Sequence, residues 1–456
     1  MFIGEKPSTG RSGMGIDQAP KKGYIEAPTG GREIGARHFF RRSRGLESSE
    51  KRILIIANFG HMMSHYNMFV FPNLVLPLTA SLNLDLAQTL ELPFWQYLLF
   101  GVTALPWGLA GDRVDSRILM MVMFVGSGIS GLAAALWVDS PWALSLALAG
   151  IGLFSAIYHP IGMGLISKGV KRLTLAMGYN AVFGGLGLVI APLATGILNW
   201  ISGPRAAFLA LGVLNLAGLA LMTIFPLGKT QAEAKQKESN NDKGRLGAFV
   251  ALLVAAGLAG LAFTGATVII PSYLELKGAH ILRVATALWS GDLSSNLVAT
   301  LVTAVVYTVG MVGQYVGGHA GERYDPRFTY LVFHAACIPL AFLIAVTQGF
   351  SLAGLSMVYF FFLLGNQPCE NSLVARFAPR RWHHSAFGLK FILTFGVGAL
   401  AVRIAAWIQS VWGIEAIFTA LGFTSIGIAA AIAMLIAITN RPAKAEVSAN
   451  EMQAAV

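Results

Sequence analysis

Charge is scarce in this chain. Only 12% of its 456 residues are Asp, Glu, Lys or Arg, about half the share a soluble domain carries. That excludes an ordinary water-soluble globule. Cysteine is scarcer still: Cys337 and Cys369 are the only two, each inside an apolar run, so no disulfide framework is expected. A Gly-rich phosphate-cradling loop is missing, which removes ATP as a driving force. No nucleophile–base pair and no persuasive metal-ligand set stands out, so neither an enzyme nor a cofactor or metal is expected. What the chain does have is 55% hydrophobic residues and 51 glycines, the composition of closely packed membrane helices.

A helix needs about 20 mainly apolar residues to cross a bilayer. Runs of that kind fall near 53–79, 93–112, 117–138, 142–166, 173–199 and 205–226, and again near 247–274, 297–321, 328–347, 351–375, 384–408 and 413–438. The spacing predicts twelve spans in two halves, 51–226 and 247–440, joined by a polar linker at 227–246. Residues 1–50 read as a disordered basic cytoplasmic tail, with a cluster at Arg37–Arg44. A second tail follows at 441–456. The stretch GLAGDRVDSR at 108–117 returns as GHAGERYDPR at 318–327, with six of ten positions identical and an offset of 210. Duplicated halves explain such a copy.

Lys and Arg set the orientation. Eleven lie up to Arg52, seventeen in the even-numbered loops and C-terminal tail, and three in the odd-numbered loops. Both termini, the linker and both charged turns are therefore expected in the cytoplasm. The net charge of +11 is mostly topology, which leaves nucleic acid out as a partner.

Twelve spans with a central loop and a charged turn after spans 2 and 8 resemble the major facilitator superfamily of secondary transporters. The resemblance covers about 50–440. The family's turn reads roughly G-x-x-x-D-R-x-G-R-[KR]. Gly108, Asp112, Arg113 and Arg117 fit it, with Gly318, Glu322, Arg323 and Arg327 in the second copy, while Asp115 and Ser116 depart. The resemblance implies that these residues latch the halves on the cytoplasmic side. On span 5, Gly178, Gly187, Pro192 and Gly196 keep the spacing of the family's antiporter motif, with Ala191 and Thr195 at two Gly positions. No Arg lies between Trp142 and Ser167, unlike the commonest multidrug antiporters. AIYHPIGMG at 156–164 and NFGHMMSHYN at 58–67 look similar to the fosmidomycin-resistance group, although Ile161 stands where that group has an acid.

The resemblance implies that spans 1, 4, 7 and 10 line a central cavity, where ionisable groups are functional candidates. On span 1, Asn58, His61 and His65 share a helical face, with His65 roughly 20 Å beyond Arg52. A histidine pair can carry a proton. The same spacing suits a metal, but span 1 offers no Cys or acid to complete a site. Packing remains open for both rings. Span 4 brings Ser155, Tyr158 and His159 to Pro160, which frees a helix carbonyl. Span 10 carries Asn366, Gln367, Glu370 and Asn371, with Pro368 placed 208 residues after Pro160. Glu370 reads as a proton carrier or as the partner of Lys390 on span 11, where a bare ammonium costs roughly 2.5–3.5 kcal/mol.

The expectation is an all-helical, proton-coupled antiporter of the bacterial inner membrane. It exports a small organic solute, with Lys390 favouring anionic cargo, and works as a monomer in the lipid bilayer. An importer of a metabolite or metal ion and a non-transporting sensor or scaffold on the same fold remain as rivals.

Overall fold

The computed structural model describes residues 47–171, 173–225, 243–289, 291–377 and 389–440, and every regular element in them is helical. Residues 1–46 of the predicted N-terminal tail with the basic cluster Arg37–Arg44, the C-terminal tail, most of the predicted linker and the predicted start of span 11 at His384 lie outside the described residues, while the last residues of the predicted tail, from Ser48, already belong to the first helix. Helices are what the composition demands, since a backbone in lipid must satisfy its own polar groups. Among the described residues, ten helices are long and apolar enough to cross a membrane, from Ser116–Leu136 (span 3) to Glu415–Thr439 (span 12). The first two predicted spans are assembled from consecutive pieces. Ser48–Phe69, Phe71–Leu74 and Val75–Leu82 make span 1, and Phe94–Val102 with Ala104–Gly111 make span 2. Span 7 begins at Lys243, four residues inside the predicted linker.

The duplicated halves pack alike. Span 1 lies on span 5, span 2 on span 4 and span 3 on span 6; in the second half, span 7 lies on span 11, span 8 on span 10 and span 9 on span 12. Spans 4 and 10 break at matching points. Span 4 divides into Pro141–Ser155 and Tyr158–Gly169, and span 10 into Gly349–Gly365 and Gln367–Phe377. Pro160 and Pro368 sit just past those breaks, each lacking the N–H that would continue the ladder.

The repeated turn has the same local task in both halves. Asp115 Oδ1 accepts from the backbone N–H of Arg117 at 2.9 Å, and Asp325 Oδ1 from that of Arg327 at 2.9 Å. Each Asp caps the helix that follows, Ser116–Leu136 or Pro326–Val346. The departure of Asp115 from the family's turn is thus a helix cap. The turn's small residues serve the next contact. A methyl group at Gly111 would lie 2.4 Å from Ile161, and one at Gly321 would lie 2.7 Å from Cys369. The partners lie 208 residues apart, the same spacing that separates Pro160 from Pro368. Span 2 therefore rests on the Pro160 segment as span 8 rests on the Pro368 segment.

Spans 2, 5, 8 and 11 join the halves. Among the described residues, the hydrogen bonds between halves all lie at the end opposite the charged turns. Asn199 donates to Asn296 Oδ1 at 2.9 Å, Asn296 donates to the Asn73 carbonyl at 2.9 Å, and Trp200 donates to the Asp292 carbonyl at 3.1 Å. At the other end Asp112, Arg113, Glu322 and Arg323 are exposed, and no hydrogen bond or ion pair joins the two turns among the described residues. Among the described residues the halves are tied together at the end opposite the charged turns, the closed end.

Asp325 is more than a cap. It forms an ion pair with Arg327, which also reaches Thr439 and Asn440 at the end of span 12. The hydrogen bond from Arg327 holds the Asp325 carboxyl below the usual carboxylate range. A depressed carboxylate adds stability above its unfolded pKa and loses it as pH falls through the folded one. Between pH 7 and pH 3, thermal unfolding in detergent is expected to show the gap between wild type and Asp325→Asn closing. A gap that stays constant with pH contradicts that contribution.

Candidate functional site

Span 1 turns its polar face toward spans 4 and 5. His61 Nε2 and His65 Nε2 stand 3.2 Å apart, one turn from each other on the same face. His61 Nδ1 is 2.8 Å from the Asn180 backbone carbonyl. That oxygen can only accept, so Nδ1 carries the proton and Nε2 keeps a lone pair. The Nε2–H of His65 then donates to it. The tautomers are assigned from these contacts. Tyr158 stacks on His61 with ring centroids 4.7 Å apart, and its hydroxyl accepts from Asn180 at 2.6 Å. The same Asn180 amide also reaches Asn58 Oδ1 at 3.1 Å.

His159 completes the group. Its ring edge meets His61 at 5.4 Å and His65 at 5.5 Å, centroid to centroid. One ring nitrogen from each of His61, His65 and His159 lies within 4.8 Å of the others. His159 Nε2 is buried and has no hydrogen-bond partner. Phe391 and Phe395 of span 11 stack on its ring at 5.2 and 6.0 Å, so the histidine group of one half faces an aromatic pair of the other. Those phenylalanines flank or lie in a π-helical turn, Ile392–Val397, a distortion often found at functional sites.

Small residues on span 5 let the rings sit there. A methyl group at Gly184 would lie 2.5 Å from His61 Cε1, and one at Gly187 would lie 2.3 Å from the Met62 carbonyl oxygen. Of the four motif positions read from the sequence, Gly187 seats span 1, Gly196 meets Thr300 on span 8, Pro192 lies inside the helix, and Gly178 faces open space. Gly184→Leu is therefore expected to lower the unfolding temperature in detergent by several degrees, while Gly178→Ala leaves it unchanged or slightly raised. Equal losses in both variants contradict the contact.

The second half holds a buried ion pair. Lys390 Nζ lies 2.8 Å from Glu370 Oε1 and donates to Asn371 Oδ1 at 2.8 Å. The Tyr330 hydroxyl donates to Glu370 Oε2 at 2.7 Å. Glu370 and Lys390 are 3% and 6% exposed, so nearly all their hydration is replaced by these contacts. Gln367 accepts from Gln314 at 2.8 Å, and Asn366 donates to the Leu363 carbonyl at the span 10 break. The pairing of Glu370 with Lys390 was one of two roles open from the sequence.

Sequence reading missed His334 on span 9. Its ring lies 5.0 Å from that of Tyr330, and both of its nitrogens are buried and unpartnered. An ionisable residue inside a span was the available signal, passed over because span 9 was not expected to line the cavity. It also gave no part in the site to Asn180, which orients both His61 and Tyr158.

Comparison with known proteins agrees with this architecture. The model of the Major Facilitator Superfamily matches residues 54–402. The uncharacterized MFS-type transporter YfnC of Bacillus subtilis (strain 168) is 24% identical over 372 residues, 78% of this chain and 87% of that protein. A bacterial homolog of the human lysosomal transporter Spinster, inward-facing and occupied, has a TM-score of 0.70 at 15% identity, over 88% of this chain and 100% of that one. The peptide transporter POT in complex with sulfate has a TM-score of 0.68 at 15% identity, over 85% and 94%. At such identities the solved structures show the fold alone. A match spanning most of the helical region, on a fold with two six-span halves and its charged turn written twice, makes this chain a member of the major facilitator superfamily and a membrane transporter of that type.

Proposed function

We propose that the protein carries a small organic anion across the membrane by alternating access, coupled to protons. The buried Glu370–Lys390 pair carries this reading. An ion pair removed from water returns little net stability, because desolvation offsets the attraction. Inside a membrane such a pair is retained for work. A carboxylate or phosphonate on the cargo competes with Glu370 for Lys390. The displaced Glu370 keeps only the Tyr330 hydroxyl and takes a proton rather than remain an uncompensated charge. Proton and anion then cross together, and the pair re-forms when both leave.

The second reading is exchange, with export of solute against an incoming proton. Its support is the span 5 motif, whose Gly187 packs on span 1 beside His65, where a histidine pair can hold the proton. The likeness of spans 1 and 4 to the fosmidomycin-resistance group belongs with this reading. In both, the charged turns face the cytoplasm of a bacterial plasma membrane.

A ligand-stabilisation screen tests the cargo. Purified protein is heated with small dicarboxylates, tricarboxylates and alkyl phosphonates at two pH values. At 100 times its dissociation constant, a ligand adds about 2.7 kcal/mol. The expected hit is an anion whose stabilisation is lost in Lys390→Met. Stabilisation by neutral or cationic compounds alone, unaffected by Lys390→Met, contradicts the reading.

A further inference from the structure

We infer that His61, His65 and His159 form a binding site for a borderline divalent transition metal, of which Zn²⁺ is the natural probe. Three neutral imidazoles suit zinc, cobalt or nickel, whereas calcium and magnesium require oxygen ligands that this cluster does not offer. A tetrahedral zinc with bonds of about 2.0–2.1 Å places its nitrogen ligands about 3.3 Å apart. The His61 and His65 Nε2 atoms are already 3.2 Å apart, and coordination would shift the His65 proton from Nε2 to Nδ1. All three ligand nitrogens lie within 4.8 Å of one another, at most about 1.5 Å beyond that spacing. A tilt of one imidazole covers the difference.

Two further observations point to a ligand. His159 is only 8% exposed and its Nε2 is buried without a partner, and a buried nitrogen lone pair in that state is costly. It is the atom a metal would take. His61 is held by the Asn180 carbonyl through Nδ1, leaving Nε2 for coordination. A carbonyl on the far nitrogen is the usual outer partner of a metal-bound histidine. Three protein ligands leave the fourth position for water or an exogenous anion. The sequence could not show the site, because only the docking of span 4 beside span 1 brings His159 within reach of the pair.

The inference is independent of the proposed cargo and of the Glu370–Lys390 pair. The test uses the full chain in detergent, without a polyhistidine tag and after treatment with a chelator. Calorimetric titration with ZnCl₂ is expected to give one site per chain. Loss of an outer partner costs about 10–100-fold in affinity, so His61→Ala, His65→Ala and His159→Ala should each weaken that site by at least about 100-fold. His280→Ala, His319→Ala and the double variant His383→Ala, His384→Ala should leave it intact. Should the alanine variants not fold, the wild-type protein loaded with Co²⁺ decides. Intense visible absorption of a four-coordinate site supports the assignment, and a weak six-coordinate spectrum overturns it. Zinc binding that survives His159→Ala, or no saturable binding, also overturns it.

Discussion

Replacing Glu370 by Gln is expected to cost about 3–5 kcal/mol of stability and to abolish solute movement. The size follows from what remains. Lys390 is 6% exposed, and without Glu370 it keeps only Asn371 as a hydrogen-bond acceptor among its assigned contacts. An ammonium in that position is neither hydrated nor neutralised. Lys390→Met leaves the opposite charge on Glu370, with the Tyr330 hydroxyl alone to meet it, and should cost a comparable amount. The double variant Glu370→Gln, Lys390→Met removes both charges and is expected to regain most of the stability, because burying two neutral groups avoids the desolvation cost. It should still not transport. Unfolding temperature and transport, measured on all four proteins, separate the two roles. If the double variant transports, the pair is structural only.

Gly101→Val and Gly196→Val are expected to reduce transport at least tenfold by preventing the closed end from closing. A methyl group at Gly101 would lie 2.1 Å from the backbone nitrogen of Gly396, so spans 2 and 11 can meet only where neither residue bears a side chain. At Gly196 the added atom would lie 1.8 Å from Thr300 Oγ1. Thr300 cannot easily turn aside, since its hydroxyl donates to the Asn296 carbonyl at 2.8 Å. Asn296 in turn bonds Asn199 and the Asn73 carbonyl across the halves. Overpacking at such contacts moves helices rather than side chains. A cysteine at Thr303, fully buried on span 8, reports the separation. Both native cysteines are buried and give little background. Labelling of Thr303→Cys by a membrane-impermeant maleimide should be slow alone and at least tenfold faster with Gly196→Val. Unchanged labelling with transport lost means that the glycine acts by some route other than closure.

The helical plan was legible because lipid leaves so few options. Long apolar runs, one long polar interruption and two copies of one turn led to twelve spans in two halves. Spans 1 and 2 were legible as apolar stretches, yet neither is a single helix in the structure. The internal breaks at Phe71–Leu74 and Thr103 follow local backbone geometry that periodicity does not encode. The face shared by His61 and His65 was a matter of counting along one helix. Their meeting with His159 was not, because it depends on how three helices dock. The docking rests on glycines whose importance shows only in the distances a methyl group would violate. The turns taught the opposite lesson. Their duplication was plain, and the resemblance assigned them to a latch. In this conformation their fixed contribution is to cap spans 3 and 9 and to seat spans 2 and 8 on the segments that follow Pro160 and Pro368.

Proton movement during transport tests the central claim most directly. Liposomes containing the protein and a trapped pH indicator are given the stabilising anion on the outside, with membrane voltage clamped. Coupling through Glu370 and Lys390 predicts that the lumen acidifies as the anion enters, and that Glu370→Gln removes the signal. Alkalinisation would assign the proton to an exchange leg, and anion entry without any pH change in the lumen would contradict proton coupling altogether.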